Sequence, residues 1–292
     1  MQNLTPAAIA ALCLELAPAA FFGFASERIE RALARWPRAL RVTLPALFAV
    51  PYVLVSLSAH IFRWEWFALY ALLPVAISCL LLRAAAADPN QRGDWRDGFI
   101  LLLLGLAVDL RWFESAWPAG LRALNELFLV DAGLYGFLAI RKLSGTGFDF
   151  HLKWSDWKTG LRELFFFAPP VIVLGLALGF IHPHRNLPGI GSALLRWVAI
   201  FFFTAVPEEL FFRAWVQNLL ERRLGRRAAL IIASVLFGLS HFNKRSAHFN
   251  WRYVLLATIA GIFYGRAWRE HRRVPASTIT HASVDWLWGL WF

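Results

Sequence analysis

Residues 192–220 read SALLRWVAIFFFTAVPEELFFRAWVQNLL, an apolar run long enough to cross a bilayer that carries a proline, two glutamates and an arginine in its interior. Ionisable groups at membrane depth are costly, so Glu208, Glu209 and Arg213 are expected to have a use or a partner there. Adjacent residues on a helix point about 100° apart, and the two glutamates therefore do not share one task. Glu209 and Arg213, four apart, fall on one face and form the expected ion pair. Glu208 faces elsewhere, and a carboxylate in a poorly solvated site is suited to take a proton from water and return it. Pro207 removes one helical hydrogen bond and is expected to kink the run just ahead of the glutamates. The plainer alternative is a pair of salt-bridged glutamates that only holds helices together.

Outward from this run the chain is of one character. Hydrophobic residues make up 59% of its 292 residues, and its mean hydropathy of +0.52 is too high for an ordinary water-soluble domain. Apolar runs at roughly 4–25, 42–62, 66–83, 98–116, 119–140, 164–181, 192–220, 228–243, 253–268 and 274–292 predict an all-α, polytopic membrane helix bundle of about ten transmembrane helices. The run from Leu4 to Phe24 has no basic segment ahead of it and arginines behind it, so a retained span is expected in place of a cleaved signal. Arg28, Arg31, Arg35, Arg38 and Arg41 form the densest basic cluster and are expected to face the cytoplasm, with the N-terminus outside. Lys244, Arg245 and Arg252 then fall outside, against the charge rule.

The net charge of +11 is spread in short clusters between apolar runs, which fits membrane anchoring and not a nucleic-acid partner. Membrane lipids and a peptide or membrane-protein substrate are the expected partners. Cys13 and Cys79, far apart in apolar runs, indicate neither a disulfide framework nor a thiolate metal site. A shallow hairpin is the alternative for the fourth and fifth runs, where Asp109, Arg111, Glu114, Arg122, Glu126 and Asp131 crowd together. Residues 1–142 are expected to be a transmembrane region without recognisable chemistry, 143–163 a cytoplasmic linker or interfacial helix, and 164–292 the functional core.

Two further polar clusters lie in that core. Phe237-Gly238-Leu239-Ser240-His241 closes the eighth run, and His281-Ala282-Ser283-Val284-Asp285 sits in the last, with His281 and Asp285 on one face at spacing four. Either histidine taken alone is a satisfied polar residue. A carboxylate and two histidines on three helices can also converge on one buried pocket, and peptide hydrolysis needs those parts. Glu208 with His241 would deprotonate a water, while His281 and Asp285 bind or polarise the oxyanion; Asp285 must be protonated to donate and otherwise orients His281.

EELFFR, FGLSH and HASVD resemble, in order and spacing, the EExxxR, FxxxH and HxxxN/D motifs of the CPBP family of intramembrane peptidases, which includes the type II CAAX prenyl endopeptidases and bacteriocin-processing or immunity proteins. The resemblance covers about residues 165–292. It implies an all-helical membrane core, a metal-free glutamate mechanism with Glu208, His241 and His281 as principal catalytic positions, and Asp285 where asparagine is commoner. Three rivals are carried alongside it. Glu208, His241 and His281 would serve as three ligands of a zinc ion; the same residues would relay protons in a transporter; or the fold would be a catalytically silent immunity protein. The compact chain and its basic loops suit a bacterial inner membrane. If the last helix starts at Val274, His281 lies shallower than Glu208 and His241, so that helix is expected to begin near His271 with a kink at Pro275.

Overall fold

Helix is the only regular structure in the computed structural model, which describes residues 5–184, 187–246 and 248–292. Ten helical stretches follow one another: α1 (Pro6–Ala34), α2 (Arg38–Ser58), α3 (Trp64–Ala87), α4 (Trp95–Asp109), α5 (Ala119–Ile140), α6 (Trp154–Ala177), α7 (Ile190–Leu224), α8 (Arg226–Leu239), α9 (Trp251–His271) and α10 (Val274–Trp291). Each of the ten apolar runs thus corresponds to a helix; Leu4, where the first run begins, lies outside the described residues. Six helices, α1, α2, α3, α5, α6 and α7, are long and apolar enough to cross a membrane, and the protein is a multi-pass membrane protein. The other four of the ten expected spans do not meet that measure of length and apolarity. The 15 residues of α4 and 14 of α8 fall short of the ~20 that a bilayer core asks for, and α9 and α10 dilute their apolar positions with polar ones.

The chain divides into two compact units at Ser144 and Gly145. In the first, α4 stops at Asp109, short of the expected 116, and Glu114 in the segment beyond it lies 3.8 Å from Arg111 and 4.0 Å from Arg122 in the first turn of α5. Arg141, almost fully buried, closes this unit by binding Asp97 at 3.0 Å and Asp88 at 2.7 Å. Glu15 on α1 and Asp131 on α5 are both buried within this unit. Cys13 and Cys79 are free thiols.

The second unit is built on α6 to α10. The helix expected from about 164 starts at Trp154, so only 145–153 of this unit's leading segment is irregular, and that loop lies over the start of α10. The Val274 N–H donates to the Gly147 carbonyl at 2.9 Å, and Arg273 is held by Asp149 at 2.8 Å and by Asp156, on the first turn of α6, at 2.8 Å. Burial works against the Asp149 carboxylate, but hydrogen bonds from Arg273 and the His151 N–H outweigh it and hold this group below the usual carboxylate range.

α10 begins at Val274, not near His271, and Pro275 falls in its first turn, where a missing N–H costs nothing and no kink results. Residues 274–283 are all buried, so this helix starts beneath the 145–153 loop and not at a water boundary. Depth counted from Val274 therefore underestimates the depth of His281. Gly147, at φ +69°, is central to this arrangement: a Cβ there would stand 1.8 Å from the Arg272 carbonyl oxygen. Gly147→Ala combines a left-handed backbone costing ~1–2 kcal/mol with overpacking of similar size, and is expected to lower the unfolding free energy by about 2 kcal/mol or more, read by denaturant titration in detergent.

Candidate active site

Pro207 cannot donate to the carbonyl four residues back, and α7 responds by widening into π-helical turns at Phe201–Ala205 and Leu210–Gln217 on either side of Val206–Glu209. This is how the expected disturbance at Pro207 is realised. The short segment between the wide turns presents both glutamates to the interior. Glu209 is fully buried, and its Oε2 accepts from Arg213 Nε at 2.9 Å, as the spacing of four predicts.

The other Glu209 oxygen has a role that the spacing does not show. It stands 2.9 Å from His281 Nδ1, so Glu209 bridges Arg213 and His281 and fixes the orientation of the ring. The opposite ring nitrogen, His281 Nε2, lies 3.5 Å from Asp285 Oδ2 and 3.9 Å from Glu208 Oε2. Glu208 is about one-quarter exposed, and its Oε1 is 3.8 Å from Lys244 Nζ. Glu208 Oε2 is buried without a hydrogen-bond partner, leaving an acceptor aimed at the centre of the site.

His241 lies in the turn just beyond α8. Its Nδ1 donates to the Phe237 carbonyl at 2.8 Å, which leaves Nε2 with the lone pair in the neutral ring. α8 comes this close to α9 because position 238 is glycine: a Cβ would meet Thr258 Oγ1 at 1.9 Å and the Val254 carbonyl oxygen at 2.6 Å. Phe237 packs edge-on to His281 with ring centroids 5.6 Å apart, and tilts against His241 at 4.9 Å. Arg213 lies over the other side of the cluster, 5.2 Å from the Phe237 centroid.

All six residues singled out from the sequence, Glu208, Glu209, Arg213, His241, His281 and Asp285, are thus gathered around Phe237 and His281. Two tyrosines and a lysine join them. Tyr264 stacks on His281 at 4.5 Å with planes 16° apart, and Tyr253 packs against His241 at 4.7 Å. Their spacing of eleven, three helical turns, puts both on one face of α9 and was the signal in the sequence that marks them. Lys244, whose charge runs against the charge rule in the expected topology, faces Glu208 at 3.8 Å.

Beside the cluster is a cavity of about 100 Å³, walled by His241, His281 and Asp285 on one side and by apolar side chains such as Phe167, Val171 and Val284 on the other. Glu208 is not part of that wall and meets it at His281. The volume suits several waters or a small apolar group. Among the described residues no group of three or more His, Cys, Asp or Glu side chains is arranged to hold a metal ion, so Glu208, His241 and His281 do not form such a set in this geometry.

Residues 190–287 match the family model described as type II CAAX prenyl endopeptidase Rce1-like. The match runs from the first residue of α7 into α10 and includes every residue of the cluster. It is the family that EELFFR, FGLSH and HASVD resemble. No curated protein and no solved structure matches the chain.

Proposed function

On the premise that residues 190–287 are of the Rce1-like family of type II CAAX prenyl endopeptidases, we propose that the protein is an intramembrane endopeptidase that activates water with Glu208 and His241 and uses no metal. Its substrate is a peptide or membrane protein whose scissile bond lies near or within the bilayer, and its place is a bacterial inner membrane.

The observation that carries this reading is the unpartnered, buried Oε2 of Glu208, 3.9 Å from a histidine that a second carboxylate holds rigid. Water seated between Glu208 Oε2 and His241 Nε2 loses a proton to the carboxylate as its oxygen attacks the carbonyl carbon. The developing oxyanion is received by the N–H of His281. Glu208 then returns the proton to the leaving amine, and the peptide bond breaks without a covalent intermediate. Apolar residues of α6, α9 and α10 around the cavity keep bulk water away, which strengthens each of these electrostatic contacts.

The test is cleavage of a panel of membrane-embedded reporters, prenylated peptides included, by the purified protein with and without a strong chelator. Cleavage that persists under chelation is the expected result. Cleavage abolished by chelation and restored by zinc would overturn the metal-free mechanism, and absence of cleavage across the panel would favour the immunity or transporter reading.

A further inference from the structure

The charges around His281 can be counted pairwise. Glu209 is matched by Arg213 at 2.9 Å and Glu208 by Lys244 at 3.8 Å, which leaves Asp285, 3.5 Å from His281 Nε2, with no other cation among these contacts. Among these direct contacts three carboxylates stand against two cations, and a doubly protonated His281 supplies the third positive charge.

The geometry asks for the same thing. His281 Nδ1 faces a carboxylate oxygen at 2.9 Å, and Nε2 faces two, on Asp285 and Glu208, at 3.5 and 3.9 Å. An imidazole nitrogen bearing a lone pair would be repelled by both of those oxygens. One bearing a proton is attracted to both.

We infer that Asp285 is a positioning residue that keeps His281 doubly protonated, so that the site meets its substrate with a cationic N–H donor. For the oxyanion this rests on the peptidase function proposed above; the charge of His281 itself does not. With the proton on Asp285 instead, Nε2 would be an acceptor and would have nothing to offer an oxyanion. A carboxylate cannot donate, so Asp285 acts through the ring beside it and not on the substrate.

Arg245, from the loop after α8, stands over the Trp288 ring of α10 at 4.2 Å, and the remaining charged or titratable groups near His281 come from three helices and that loop. α7 supplies Glu208, Glu209 and Arg213; the α8 end and its loop supply His241 and Lys244; α9 supplies Tyr264, stacked on the ring, and Tyr253 beyond it. α6 meets α10 through the Gly160 carbonyl, which accepts from Thr280 Oγ1 at 3.0 Å, a neutral contact.

The test reads the ring directly, by nitrogen-15 NMR of histidine-labelled protein in detergent micelles, with His281→Gln used to assign the signals and Asp285→Asn as the variant. In the wild type both ring nitrogens of His281 are expected to carry protons at pH 8. In Asp285→Asn the Nε2 proton is expected to be lost about 1–3 pH units earlier, the usual effect of one close opposite charge, with the unfolding midpoint unchanged. The high-pH limb of kcat/KM on a cleaved reporter should move down by the same interval. A bare ring nitrogen on wild-type His281 at pH 7 would overturn the inference, as would identical titrations of wild type and variant. Failure of the wild type to cleave any reporter would instead count against the peptidase function, and the ring titration would still decide the charge.

Discussion

Glu208→Gln is expected to lower kcat by about 10²–10⁴-fold, the range ordinarily lost with a general base, and to leave the unfolding midpoint where it was. The separation of activity from stability follows from the contacts of this side chain. Glu208 is partly exposed, its two ion-pair distances are 3.8 and 3.9 Å, and one oxygen has no hydrogen-bond partner, so little of the fold depends on it. The glutamine keeps the shape and cannot take a proton from water. Glu209→Ala is the informative comparison, because Glu209 is fully buried between Arg213 and His281 and its loss removes two contacts at 2.9 Å. Activity should fall together with stability there. Retention of cleavage by Glu208→Gln would remove Glu208 from the chemistry.

Arg213→Met is expected to be the most damaging single change to the fold of the second unit. It leaves the fully buried Glu209 with His281 as its one remaining ion-pair partner and the cluster one cation short, and breaking a buried ion pair from one side costs about 3–5 kcal/mol. Arg213 also lies over the rings of Phe237 and Tyr264, so the methionine loses a cation–π contact as well. The double variant Glu209→Gln with Arg213→Met should recover much of the loss, since no lone charge is left behind. Chemical unfolding in detergent of the two single variants and the double one measures the coupling. Additive losses would show that the pair does not act as a unit.

Both expectations descend from a pattern visible along one helix. The spacing of four between Glu209 and Arg213, and between His281 and Asp285, is a property of 3.6 residues per turn and needs no knowledge of neighbouring helices. The apolar runs became helices for an equally local reason, since backbone groups in a bilayer are satisfied within one segment. Where polar residues dilute the apolar runs the helix ends are less legible: α4 ends at Asp109, where Glu114 in the following segment pairs with Arg111 and with Arg122 of α5, and α6 begins ten residues before its apolar run.

The bridge from Glu209 to His281 was not legible, because it joins residues 72 positions apart and depends on where α7 widens around Pro207. The start of α10 is hidden from the sequence for a related reason. A depth reckoned along one helix assumes a water boundary at its end, whereas Val274 is buried under the 145–153 loop and Arg273 is tied to Asp149 and Asp156. Lys244 carries the same lesson: its charge is anomalous in the topology expected from the sequence, and its contact with Glu208 appears only when the loop folds back on α7.

The sequence by itself determined the helices, the membrane setting, the same-face pairs and the identity of the six polar residues in the cluster, because periodicity, hydrophobic length and motif spacing are local quantities. Only the tertiary structure decided that both oxygens of Glu209 are used, that Tyr264 and Lys244 belong to the site, and that His281 stands among three carboxylates. Those facts depend on π-helical turns, a glycine contact between α8 and α9 and a helix that starts inside the protein, none of which has a signature within a single turn of chain.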